Sequence, residues 1–143
     1  MKLKDVIKIE NKAKEVWVIS PELHFDTEDK SFSELVSVNL GEKTKYRYIV
    51  PTTKQVLKNL EVYKKSFKVS EEEIQTMFLF LPETELIPFM SELAIYDASS
   101  KCCAFTAPST DDASDVIQLS SHAAKKYAKE FKSIWKKYKR KNP

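Results

Sequence analysis

The sequence predicts an α/β domain, a mixed β-sheet flanked by helices on both faces. Three observations carry this. Glu15–Ser20 (EVWVIS) and Met77–Leu81 (MFLFL) are short, almost wholly apolar runs, as expected of strands covered on both faces. Segments of helical period separate the first three strands, and such β-α-β units have right-handed crossovers that make their strands parallel. The later strands follow one another through short loops, which favours antiparallel pairs and so a mixed sheet. The chain has 143 residues, 42% apolar and 31% charged. That suits one domain spanning residues 1–143, a size that buries roughly 68–70% of the unfolded chain's surface.

The elements follow in order. Lys4–Lys14 reads as a helix with Val6, Ile7 and Ala13 inward, and Glu15–Ser20 as the first strand. Pro21–Lys30 is polar and reads as a loop. Ser31 is placed to cap a helix burying Phe32, Leu35, Val36 and Leu40, and Gly41, the only glycine, stands where a left-handed C-terminal cap needs one. Lys45–Val50 (KYRYIV) is the second strand, stopped by Pro51. Thr52 or Thr53 caps a helix with Val56, Leu57, Leu60, Tyr63 and Phe67 at helical spacing. Ser70 and Glu73 form a capping box ahead of the third strand. Leu93–Tyr96, Cys102–Thr106 and Val116–Leu119 supply three more strands. Ser120 or Ser121 then starts a final helix with the apolar stripe Ala124, Tyr127, Ala128, Phe131, Ile134, Trp135 and Tyr138.

Composition narrows the function. No run approaches the ~20 apolar residues of a membrane span, and MKLKDVIKIENK lacks a signal-peptide core, so a cytoplasmic protein is expected. Adjacent Cys102 and Cys103 project to opposite strand faces, and no Cys or His pair has zinc-ligand spacing. One glycine cannot build a phosphate-cradling loop. The acidic sets Glu71–Glu73 and Asp111, Asp112, Asp115 read as solvated surface. Neither cofactor nor metal is expected. From His122 onward nine lysine or arginine residues stand against Glu130 alone, a net +8; the whole chain is +3, leaving −5 on the other 121 residues.

Three stretches carry a resemblance. EVWVISPEL, a helix and LGEKTKYRYIVP; the strand ELAIYDASS ending on Asp97; and the closing helix AAKKYAKEFKSIWKKY, with Phe131 and Trp135 one turn apart, resemble in order and spacing one half of the phospholipase D-like fold over residues 13–140. Active members of that superfamily carry His, any residue, Lys, four residues, Asp. One histidine attacks phosphorus, the histidine of the other half is the general acid, and the lysines hold the phosphate. Aligned on Asp97, the histidine slot holds Met90 and the lysine slot Glu92. Met90 can neither attack nor shuttle a proton, and Glu92 is expected to repel a phosphate that lysine would attract. The resemblance therefore implies a degenerate, non-catalytic half. Single halves of this superfamily pair across a shared groove, which implies a homodimer or a partner chain with a similar half.

Other residues give weaker leads. His24, two residues before Asp26, is a conceivable acid/base pair beyond the first strand, though a partly exposed loop histidine is the simpler expectation. His122 falls in the first turn of the last helix. On that helix Lys125, Lys129, Lys132, Lys136 and Lys139, with Arg140, lie opposite Phe131 and Trp135 and suit salt-dependent nucleic-acid contact or a solvated face. Tyr46 and Tyr48, beside Arg47, share a strand face and read as a core or subunit contact, with base stacking as the alternative if exposed. The expected function is a non-catalytic binding, sensing or dimerisation module in regulation. A nucleic-acid-associated protein is the alternative, and a phosphodiesterase with an altered site comes last.

Overall fold

The computed structural model describes residues 2–82, 91–108 and 116–141. Within them the chain runs α1 (Leu3–Lys12), β1 (Glu15–Ile19), α2 (Phe25–Glu28), α3 (Lys30–Gly41), β2 (Lys45–Pro51), α4 (Lys54–Phe67), α5 (Glu71–Met77), β3 (Phe78–Leu81), β4 (Ser91–Tyr96), β5 (Cys103–Pro108), β6 (Ile117–Gln118) and α6 (Ser121–Lys141). The strands form one mixed sheet in the order β3-β2-β1-β4-β5-β6. The β-α-β segments give the expected parallel pairs, β1 with β2 and β2 with β3. β4–β5 and β5–β6 are antiparallel. β4 does not pair with its predecessor β3 but crosses to the free edge of β1, with Val18 opposite Ala94.

Strand alternation sorts the side chains into two cores. Val16, Tyr48, Phe78, Tyr96 and Phe105 meet Val6, Phe32, Val36, Val56, Tyr63 and Ile74 from α1, α3, α4 and α5. Trp17, Ile49, Leu79, Ile95 and Ala104 meet Ala124, Ala128 and Phe131 of α6. Among the described residues helices therefore flank both faces, five on one and α6 alone on the other. On the first face the aromatic rings form a ladder: Tyr46 stacks on Tyr48 at 5.9 Å and Tyr48 on Phe78 at 4.5 Å, with Tyr63 edge-on to both. On the second, Phe131 stacks between Trp17 (5.0 Å) and Trp135 (5.9 Å). No helix among the described residues is long and apolar enough to cross a membrane.

Local chemistry explains most boundaries. Thr53 Oγ1 accepts from Val56 N at 3.2 Å, Ser70 and Glu73 form the reciprocal capping box, and Ser120 Oγ accepts from Ala123 N at 3.1 Å. Several expectations are corrected. The polar stretch 21–30 is not all loop: it holds α2, with Leu23, His24 and Asp26 buried. α3 is capped by Asp29, whose Oδ1 accepts from Phe32 N, and not by Ser31. Gly41 ends α3 at negative φ, and the left-handed residue that turns the chain is Lys43 (φ 66°). Met77 closes α5 instead of opening β3. Leu57 and Tyr127, assigned to inward stripes, are 47% and 40% exposed. Cys102 is a left-handed residue (φ 47°) before β5; it packs on the α6 side and Cys103 on the other, so the two diverge as alternation requires.

Phe131 is the stacked centre of the α6-side core. Phe131→Ala is expected to destabilise the chain by about 3–5 kcal/mol, and Tyr127→Ala, on the same helix but exposed, by less than ~0.5 kcal/mol; urea denaturation measures both.

Candidate functional site

The carboxyl edge of β1 lies beside the start of β4, and the chain collects its buried acids under α1–α4 on this side of the sheet. Strand parity puts Glu92 and Ala94 on the same face as Tyr96, beneath the helices. Ser20, just beyond β1, donates its hydroxyl to Glu92 Oε1 and accepts at Oγ from Leu23 N at 2.8 Å, which bends the chain toward α2. α2 then places Asp26 inward, where Oδ2 accepts from the Tyr48 hydroxyl at 2.6 Å; Tyr48 in turn accepts from Tyr63 at 3.2 Å. α1 contributes Glu10, whose two carboxyl oxygens accept from Tyr96 (2.8 Å) and Tyr46 (2.9 Å). Asn39 Nδ2 donates to Tyr46 Oη and to the Glu10 carbonyl.

Glu10, Asp26 and Glu92 all line one cavity of about 50 Å³, otherwise walled by apolar side chains such as Val6, Phe25, Phe32 and Phe105. Each carboxyl is buried, and no cation balances it among the described residues. Loss of water disfavours the charged form. Burial therefore pushes Glu92 up to about 8, against the Ser20 hydrogen bond, which favours the carboxylate. Burial first, then the charge of Asp26, raises Glu10; Asp26 itself is raised by burial, against the hydrogen bond from Tyr48. At neutral pH the Glu92 carboxyl is mostly protonated. This corrects one expectation: it does not confront a phosphate with negative charge, but is a neutral group able to donate as well as accept.

The other motif positions separate. Met90 lies outside the described residues. Asp97 stands beyond the opposite end of β4, roughly 16 Å of strand from Glu92, in the left-handed conformation (φ 49°). Its Oδ1 accepts from Lys14 N (2.9 Å) and Glu15 N (3.1 Å), and its own N–H donates to the Glu15 carbonyl. Asp97 thus clamps the start of β1 to the end of β4, a turn role that short acidic side chains fill for conformational reasons. His24 and Asp26 form no acid/base pair. His24 is buried, contrary to the expected partial exposure, and its ring nitrogens have no hydrogen-bond partner among the described residues. His122 lies in the first turn of α6, as predicted, and is exposed. Tyr46 and Tyr48 are core.

Along α6, Lys125, Lys129, Lys132 and Lys136 are exposed. Lys139 is not available as expected: its ammonium caps the C-terminal end of α5 through the carbonyls of Gln75 and Phe78 (2.9 Å) and lies over Trp135. The side chain of Arg140 lies outside the described residues. Sequence reading missed Glu10 and Ser20. Glu10 had a signal: it stands four residues after Val6 and three after Ile7, on the inward stripe of α1.

Compared with protein-family models, curated proteins and solved structures, the chain matches none.

The buried acids make stability depend on pH. Below about pH 4.5 Glu92 is protonated in both states. Between there and about pH 8 the unfolded chain releases its proton while the folded chain keeps it, so stability falls as pH rises through this window. The melting temperature is expected to drop from pH 5 to pH 8, and Glu92→Gln to lessen that drop by at least about 3 °C. A pH slope unchanged in Glu92→Gln overturns the assignment.

Proposed function

We propose that this chain is a non-catalytic, phospholipase D-like binding or sensing module that works in regulation and pairs with a second copy or a similar half. The observation that supports the reading most is Glu92. In the slot where a catalytic half keeps a phosphate-holding lysine, this chain has an acid sunk under α1–α4, bonded to Ser20 and largely uncharged. A phosphodiester needs positive charge and a nucleophile at that edge, and Glu92 supplies neither. Dimerisation rests on the resemblance and on edge strand β6, whose Ile117 is 66% exposed; natural edge strands of this kind are commonly covered. Light scattering at micromolar concentration is expected to give twice the chain mass, and bis(p-nitrophenyl) phosphate to give no p-nitrophenol above the blank. A clean monomer sinks the pairing. Turnover that disappears in Asp97→Asn, a variant that keeps the turn, sinks the non-catalytic reading.

A second reading has its own observation. The exposed side of α6 carries Lys125, Lys129, Lys132 and Lys136 on the face turned away from Phe131, a stripe suited to following a phosphate backbone. Nucleic acid is then the partner, held with little sequence preference. Binding to a single-stranded oligonucleotide is expected to weaken steeply with salt and to be lost when Lys129, Lys132 and Lys136 are all changed to Glu; binding that survives in that variant removes the helix as the contact.

A further inference from the structure

The three acids beneath α1–α4 are not equally satisfied. Both carboxyl oxygens of Glu10 are engaged, accepting from Tyr96 (2.8 Å) and Tyr46 (2.9 Å). Asp26 and Glu92 are each held by one oxygen only: Asp26 Oδ2 accepts from Tyr48 (2.6 Å), and Glu92 Oε1 accepts from Ser20. Their second oxygens, Asp26 Oδ1 and Glu92 Oε2, have no hydrogen-bond partner among the described residues. The two residues are only 8% and 9% exposed. Yet neither oxygen is sealed off: among the described residues, the unpaired polar side-chain atoms closed to water belong to Trp17, His24 and Asn39. Asp26 Oδ1 and Glu92 Oε2 are thus open to a water-sized group.

The space open to them is the chamber. Asp26 and Glu92 both line the cavity of about 50 Å³, and both also line a smaller pocket of about 10 Å³ beside Ser20 and Leu23, so the two side chains border both voids. A water-sized group takes roughly 10–15 Å³, so the larger cavity has room for about three to five of them. Its other walls are apolar, with Val6, Phe25, Phe32 and Phe105 among them. The occupant that fits has few heavy atoms, a donor end that is cationic and an aliphatic remainder. A bare metal ion does not fit, because among the described residues no three acids, histidines or cysteines are grouped so as to hold one.

We propose that this chamber seats a small primary alkylamine, whose ammonium donates to Asp26 Oδ1 and Glu92 Oε2 while its methylenes meet the apolar walls. An ammonium has three donors and no acceptor, which suits open carboxyl oxygens, and aromatic walls favour a cation. The step balances in charge. In the empty chamber burial keeps the Glu92 carboxyl protonated. As the ammonium enters, the carboxyl O–H breaks, its proton leaves to solvent, and an N–H···O⁻ bond takes its place. The bound cation thus supplies the positive charge that the three acids lack among the described residues. The proposal rests on the reading of this chain as a non-catalytic binding module and names what its Glu92 slot takes.

The test records the alanine methyl resonances of the full chain, labelled with ¹³C, during a titration with n-propylamine at neutral pH. Ala94 and Ala107 line the chamber, whereas Ala124 and Ala128 lie in the α6-side core. Saturable shifts of Ala94 and Ala107 are expected, with Ala124 and Ala128 still. 1-Propanol, of the same shape without the charge, is expected to bind at least about tenfold more weakly, and Asp26→Asn and Glu92→Gln each to weaken the amine by a similar factor. Both variants keep an oxygen for the Tyr48 or Ser20 hydroxyl; if one fails to melt cooperatively, the other carries the comparison. No shift with the amine, equal binding of amine and alcohol, or binding unchanged in the folded variants overturns the seat. If the amine does not bind while the chain is a dimer that leaves bis(p-nitrophenyl) phosphate intact, the non-catalytic module stands and the seat alone fails.

Discussion

The structure turns on the pair of tyrosine hydroxyls that Glu10 gathers. A carboxyl taken out of water has to find donors or stay protonated, and under α1 the donors come from two strands that never touch each other: Tyr46 on β2 and Tyr96 on β4. β1 runs between them. The carboxyl of one short helix therefore spans three strands, fixing the rotation of α1 over the sheet and committing both tyrosines to the inner face. The rest of that face follows. Tyr46 stacks on Tyr48, Tyr48 reaches Asp26, and Asp26 orients α2. Such networks favour one packing when fully satisfied and tolerate little change when not.

The two faces of the sheet solve opposite electrostatic problems. On the side of α1–α5 three acids share an apolar chamber with no balancing cation among the described residues, so burial raises the pKa of each. On the side of α6 charge stays in water: the lysines project outward, the apolar stripe goes under, and Arg47 at the rim covers the rings of Trp17 and Trp135 at 5.9 and 5.3 Å. Lys139 is the exception, an ammonium folded back onto carbonyls of α5 and β3 to join the last helix to the opposite edge of the sheet. Part of the acidic body visible in the composition is thus drawn inside with its carboxyl pKa values raised, while the basic end keeps its lysines in water.

Elements with long periodic patterns were legible from the sequence; features resting on one or two residues were less so. The stripes of α4 and α6 and the apolar strands carry many independent positions, so single misplacements such as Leu57 and Tyr127 did not disturb them. α2 is four residues long and shows no period, so Pro21–Lys30 read as loop and the burial of His24 and Asp26 was hidden. The helix start on Asp29 rather than Ser31 is a choice between two equally good capping residues, and the left-handed turn on Lys43 rather than Gly41 goes against local propensity. Strand alternation gave the face of each side chain but not the neighbour of each strand, so β4 pairing with β1 was not foreseen. At the candidate site the position of Glu92 was legible and its charge state was not, because protonation follows from burial, which the local sequence does not record.

That β4 pairing has a consequence for the nascent chain. β1 receives its parallel partner β2 early, but its other edge waits for a strand that begins about 70 residues later in the sequence. At about 5–20 residues per second of translation, that edge is open for roughly 4–14 s, its amides and carbonyls available to any extended segment nearby. The same pairing that closes the finished sheet thus leaves one edge of β1 without a partner until Ser91–Tyr96 has been made.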